Sequence, residues 1–204
     1  MTKSKKKRNL FLTVYATIEG EKRELILFKI LQDIYLDRKK IKLTINPVHG
    51  GNPNFLLNSA TRYISFNYNR MFVWIDEDID LNRDSRETLC KYWCVTDKNT
   101  FYSCPLGQLQ NRYNQALHNP VLIVSQPICV ESLILSLLGK RLPHQHLNSE
   151  ILKKQKRELK NSLSGVIGSV NEYEYLAAKL TKEVLEEKRL LIPELELLLS
   201  MITS

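Results

Sequence analysis

The chain predicts an α/β fold, with a mainly parallel four-stranded sheet flanked by helices and a C-terminal helical appendage. Three observations lead there. Between residues 10 and 140, short runs rich in β-branched and aromatic residues alternate with stretches of helical apolar spacing. Strands joined through intervening helices run parallel, with the helices on the faces of the sheet. From about residue 149 the pattern becomes wholly helical and charged, as in EILKKQKRELK and KLTKEVLEEKRLLIPELELLLSMI.

Taken in order, residues 10–18 (LFLTVYATI) are the first expected strand, closed by Glu19-Gly20. Leu27, Ile30, Leu31 and Ile34 then form an apolar stripe at helical spacing across 21–38, with Lys22, Arg23, Lys29, Asp33 and Arg38 facing away. A second strand is expected at 41–46 (IKLTIN), closed by Pro47 and the turn residues HGGNPN. A helix over 54–67 precedes the third strand, 71–75 (MFVWI), which runs directly into Asp76-Glu77-Asp78. A helix near 84–94 and an irregular, aromatic-bearing stretch at 95–118 lead to the fourth strand, 120–125 (PVLIVS). Pro127 opens an apolar helix to about residue 139, because proline suits a helix's first position. Residues 1–9 read as a basic tail, 10–148 as the α/β domain and 149–204 as the appendage, with Ser162, Ser164, Gly165, Gly168 and Ser169 marking a loop between two helices.

A length of 204 residues is enough to bury a core without disulfides or structural metals. The four cysteines are scattered, so no disulfide scaffold is expected. No apolar run reaches the roughly 18 to 20 residues of a membrane span, and a cytoplasmic setting is the expectation. The 30 Lys and Arg outnumber the 22 Asp and Glu, a net charge of +8 that favours a polyanionic partner such as nucleic acid. Much of that excess lies in two clusters, Lys3 to Arg8 and Lys153, Lys154, Lys156, Arg157 and Lys160, each of which also reads as an ordinary solvated tail or helix face.

The conspicuous acids fall at strand ends, where open parallel sheets bind ligands. IEGEKRE puts Glu19 at the end of the first strand and Glu24 about one turn into the helix. WIDEDID puts Asp76 and Asp78 two apart, on one side of an extended chain, with Asp80 extending the row. SQPICVES puts Glu131 in the first turn of an apolar helix. Two carboxylates ~5 Å apart repel by roughly 3 kcal/mol at an effective dielectric near 20. A cluster of them therefore keeps protons or binds a cation. Oxygen ligands suit Mg²⁺ or Mn²⁺ better than zinc, and such an ion can polarise a phosphoryl oxygen and stabilise a leaving oxygen. Each acid has a structural reading too. Glu19 and Glu24 suit a helix's first turn, Asp76, Asp78 and Asp80 suit a solvated loop, and Glu131 suits the free N–H groups behind Pro127.

A Glu-Gly closing a first strand, an Asp-x-Asp closing a third and βαβ spacing between them resemble the Toprim domain of topoisomerases, primases, RecR-like repair proteins and OLD-type nucleases. More narrowly, IEGEKRE resembles the EGxxTE opening of RloB-like proteins, with Arg23 at the threonine. SQPICVES resembles their Ser-Asn-Pro-x-Phe-Glu segment, with Gln126 at the asparagine and Val130 at the aromatic residue. The resemblance spans about residues 10–140. It implies a Toprim-like nuclease that hydrolyses DNA or RNA phosphodiesters with Mg²⁺ or Mn²⁺, in bacterial or phage defence, often beside a separate ATPase. On that resemblance Glu19 is the metal-linked general acid/base, and Asp76 and Asp78 are metal ligands. Glu24 and Glu131 complete a second metal position or hydrogen-bond the groups that hold the first, and Asp80 extends the ligand row. Lys22, Arg23 and Lys140 read as phosphate contacts or as ordinary surface residues.

The alternative is a non-catalytic Toprim-like module that binds nucleic acid or a partner protein. Retained acids favour the enzyme, since a pure binder gains nothing from negative charge facing phosphates. The chain has neither GxxxxGK[ST] nor GxGxxG, so any ATP dependence falls to a partner. Self-association stays open. Cys90, Cys94 and Cys104 match no familiar zinc spacing and read as core residues.

Overall fold

The computed structural model describes residues 12–20, 22–48, 55–56, 59–60, 62–66, 68–76, 94–95, 121–125, 129–140 and 149–203. The first strand, β1 (Leu12–Glu19), is followed by helix α1 (Arg23–Tyr35) and strand β2 (Ile41–Val48). A short 3₁₀ helix (Arg62–Phe66) leads to β3 (Arg70–Asp76), and β4 (Cys94–Val95) and β5 (Val121–Ser125) follow. Among the described residues five helices follow: α2 (Val130–Leu137), α3 (Ser149–Ile167), α4 (Glu172–Lys179), α5 (Lys182–Arg189) and α6 (Pro193–Ile202). The strands form one sheet in the order β2-β1-β3-β5-β4, and every pairing is parallel. The fold class is α/β, with a parallel sheet flanked by helices.

Pleating sorts the strand side chains onto two faces. Register sets Ala16 beside Phe72 and Ile18 beside Trp74, with Trp74 in turn beside Ile123. These residues share one core with Leu27, Phe28 and Leu31 of α1 and Val130, Leu133 and Ile134 of α2. The same core takes in Leu159, Leu163 and Ile167 of α3, Leu176 of α4, Leu185 of α5 and Leu195, Leu198, Leu199 and Ile202 of α6. The helices of 149–203 thus pack on the same sheet face as α1. On the opposite parity, Tyr15 is buried and stacks on Tyr63 of the 3₁₀ helix, with ring centroids 4.5 Å apart.

Several boundaries differ from the sequence expectation for identifiable reasons. Strand β2 runs through Pro47 to Val48, and proline is tolerated there because β2 lies at the sheet's edge. Helix α1 is shorter than 21–38, since the backbone extends at Leu36 and turns through 38–40. Cys94, expected at a helix end, lies in β4, and the rest of 84–93 falls outside the described residues. Over 54–67 the described residues show short helical pieces and the 3₁₀ helix. The expected apolar helix begins at Val130, with Pro127 outside the described residues. Most informative is α3, which continues straight through Ser162, Ser164 and Gly165, where a loop was expected. Its stripe Leu159-Leu163-Ile167 keeps helical spacing and is buried, which outweighs the weak helix propensities of the exposed serines and glycine. Gly168 ends it with φ +68°, a left-handed stop.

Arg70 joins the start of β3 to the end of α6, donating from Nη1 to the carbonyl of Ser200 at 2.7 Å, where a helix's last carbonyls favour a cation. Because α3 to α6 share the sheet's core, Leu163→Ala is expected to cost about 2–5 kcal/mol in urea unfolding. Fluorescence of the buried Trp74 and far-UV dichroism should trace one coincident transition. Two separated transitions would show that the C-terminal helices unfold independently.

Candidate functional site: a carboxylate cluster at the sheet's switch point

The strand order reverses between β1 and β3, two interior strands of the parallel sheet. From β1 the chain crosses through α1 to β2 on one side, and β3 lies on the other. A crevice at the carboxyl end of such a switch point is where open α/β sheets bind ligands. Glu19 ends β1 and Asp76 ends β3, and the Asp76 backbone N–H donates to Glu19 Oε2 at 3.2 Å. Asp76 Oδ1 accepts the Val130 N–H at 3.1 Å, so the carboxylate meets the positive end of α2.

Gly20 turns the chain out of β1 with φ +102°, a conformation that side chains disfavour. A Cβ at that position would collide with the Glu24 carboxylate, which folds back over the glycine. The backbone conformation calls for glycine, and any larger residue would also have to push the Glu24 carboxylate aside. Burial is the main cause that pushes the Glu24 pKa up to about 8, with the charges of Asp76, Glu131 and Glu19 adding to it. Glu24 therefore senses the other three acids. The Cys129 thiol is also pushed up, by burial and then by Asp76 and Glu131, and stays neutral.

Cations from distant segments face these acids. Arg23 donates from Nη1 to Glu131 Oε1 at 3.1 Å, from Nε to Glu172 Oε1 at 2.7 Å and from Nη2 to Ser164 Oγ at 2.8 Å. Although burial alone would lower its pKa, the Glu172 and Glu131 bonds raise it, and the guanidinium stays charged. Lys22 adds a 3.1 Å contact to Glu172, and together with Arg23 holds that carboxyl below its ordinary range despite burial. Lys160 stands 4.0 Å from Glu131. Lys156 reaches Asp76 Oδ2 at 2.8 Å, with both side chains largely buried. Beside this network a cleft of about 560 Å³ opens between α1, α3 and α4, lined by Lys22, Arg23, Ser164, Gly168, Asn171 and Glu172 among others.

Of the residues singled out from sequence, Glu19, Glu24, Asp76 and Glu131 come together. Asp78 and Asp80 lie outside the described residues, as do Cys90 and Cys104. Arg23, expected to hold phosphate, is committed to Glu131, Glu172 and Ser164, whereas the Lys22 side chain is 73% exposed at the rim. Lys140 is exposed beyond the far end of α2. At 1.5 Å per residue that is about 15 Å from Val130, so it does not join the cluster. Sequence reading overlooked Lys156, Ser164 and Glu172. Lys156 did carry a signal, since it falls on the helical spacing of Leu159, Leu163 and Ile167, where an apolar residue belongs. Glu172, 149 positions from Arg23, carried none.

The donors suit a hard divalent ion such as Mg²⁺ or Mn²⁺ in chemistry. They are carboxylate oxygens, and one of them, Oε2 of Glu131, is buried without a hydrogen-bond partner. Among the described residues, however, no three acids, histidines or cysteines are grouped closely enough to hold an ion as they stand. No protein-family model, curated protein or solved structure matches the chain.

Two outcomes follow from this geometry. A folded pKa of about 8 against an ordinary 4.5 means that the folded state holds the Glu24 proton more tightly than the unfolded chain does. That stabilisation is complete below about 4.5 and is lost as pH rises through about 8. Glu24→Gln, which stays neutral, should stabilise the protein at pH 9 by on the order of 1 kcal/mol or more and change little at pH 5, read as Tm at the two pH values. Gly20→Ala should cost about 1–3 kcal/mol, and in Glu24→Ala the same change should cost less because only the backbone strain is left. Equal costs in both backgrounds would remove the collision from the explanation.

Proposed function

We propose that the chain is a divalent-metal-dependent nuclease of Toprim type, hydrolysing nucleic-acid phosphodiester bonds. The observation that carries this is the convergence of Glu19, Glu24, Asp76 and Glu131 at the switch point, close enough for three acids to help push the fourth to about pH 8. Such crowding suits a site that takes up a cation. Asp76, Glu24 and Glu131 would hold the ion, joined by Asp78 and Asp80. Bound there, an Mg²⁺ or Mn²⁺ ion would polarise a phosphoryl oxygen and offset the charge on the leaving oxygen. Glu19, fixed at the end of β1 by the Asp76 N–H, is the proton-handling group. Exposed Lys22 at the rim and exposed Lys154, Arg157 and Lys160 along α3 supply a positive track for a phosphate backbone. Acids ending β1 and β3 of a parallel sheet are what the resembled motifs call for. A role in defence, beside a separate ATPase, follows the same resemblance.

One observation favours the second reading, a non-catalytic Toprim-like module that binds nucleic acid or protein. Lys156 already neutralises Asp76 from within the chain. The two readings separate in a nicking and degradation assay on plasmid, single-stranded DNA and RNA with Mn²⁺. Glu19→Gln should keep nucleic-acid binding but lose at least ~10²-fold in cleavage rate, and Asp76→Asn should lose cleavage together with the rise in Tm on adding Mn²⁺. Equal trace activity in wild type and Glu19→Gln would leave the binding module as the better account.

A further inference from the structure

Helix α3 packs Lys156 among its apolar residues. Lys154, Arg157 and Lys160 are exposed, as a basic helix face should be, but Lys156 sits on the inward stripe with Leu159, Leu163 and Ile167. Lysine is seldom buried unless a charge compensates for its lost hydration. Here the compensation is Asp76, whose Oδ2 lies 2.8 Å from Nζ, with the side chains 21% and 7% exposed respectively. The other Asp76 oxygen is taken up by the first N–H of α2. An ion arriving at Oδ2 would meet an ammonium in contact with the same oxygen, and like charges so close repel strongly. Among the described residues no three acids are grouped closely enough to hold an ion, and Lys156 stands where one would approach Asp76.

We propose that Lys156 is an intramolecular counter-cation, holding the position at Asp76 that a divalent ion would take, so that the ion binds only when Lys156 withdraws. The proposal rests on the metal-dependent reading above. Withdrawal needs only the side chain, whose four-carbon stem is flexible and already partly reaches solvent. The apparent affinity for the ion is then the intrinsic affinity scaled by the fraction of molecules in which Lys156 is away. The device keeps the acids neutralised and folded without metal, and makes α3 the element that senses whether the site is loaded.

The test is calorimetric titration of the full chain with MnCl₂, supported by the Mn²⁺-dependent shift in Tm. Lys156→Met keeps the apolar stem and removes the charge, and it should bind Mn²⁺ at least ~10-fold more tightly than wild type. Lys156→Gln, which can still donate a hydrogen bond to Asp76, should tighten binding in the same direction and serves if the methionine variant does not fold. Lys182→Met, an exposed lysine at the start of α5 with no part in the site, should change the affinity by less than ~2-fold. Asp76→Asn added to Lys156→Met should abolish the gain. If wild type binds Mn²⁺ through Asp76 and both Lys156 variants bind equally or more weakly, the counter-cation is overturned and the metal site stands. If neither wild type nor any Lys156 variant binds Mn²⁺, the metal-dependent reading fails and takes this proposal with it.

Discussion

Like charges gathered at the end of a sheet must be neutralised where they stand, and the molecule is arranged around that requirement. Glu19, Glu24, Asp76 and Glu131 arrive from four segments because two central parallel strands and two helix starts meet at one edge. Water screens them poorly once they are buried. The protein answers with a proton on Glu24, the start of α2 against Asp76, Arg23 on Glu131 and Lys156 on Asp76. Each answer comes from a different element, so the acids bind the fold together through their countercharges.

The C-terminal helices belong to this arrangement in two ways. Their leucines complete the core on one sheet face, and their polar residues complete the charge balance at the sheet's edge. Ser164 shows the coupling on a small scale: its hydroxyl donates to the Lys160 carbonyl within α3 and accepts from Arg23 of α1. Buried ion pairs seldom add much net stability, because desolvation offsets the attraction, but breaking one side is costly. The network around Arg23 and Lys156 therefore acts mainly to specify how α3 and α4 seat against α1 and the sheet.

That seating gives the site its chemical character. A cluster left bare would hold protons or draw in any available cation, whereas here the chain supplies its own positive groups at defined oxygens. On the proposed reading an external ion would compete with a tethered ammonium, and a phosphate backbone would meet exposed cations along α3 and at Lys22. The same helix thus offers one face to solvent and sets Lys156 and Lys160 against the acids.

Local pattern was enough to locate the long strands, helix α1 and the helical nature of 149–203, because side-chain periodicity and burial act over a few residues. It was also enough to mark Glu19, Glu24, Asp76 and Glu131, since each stands at a strand end or helix start that the pattern defines. Gly20 beside Glu19 was legible as a turn, though its closeness to Glu24 was not. What the sequence left undecided depends on partners far along the chain. Arg23 looked like a phosphate ligand until Glu131 and Glu172, 108 and 149 positions away, engaged it. Lys156 looked like one more cation of a solvated run until the stripe of α3 turned it inward onto Asp76. Periodicity fixes which way a side chain faces within its own element, but only the packing of α3 and α4 against the sheet decides which charge it meets there.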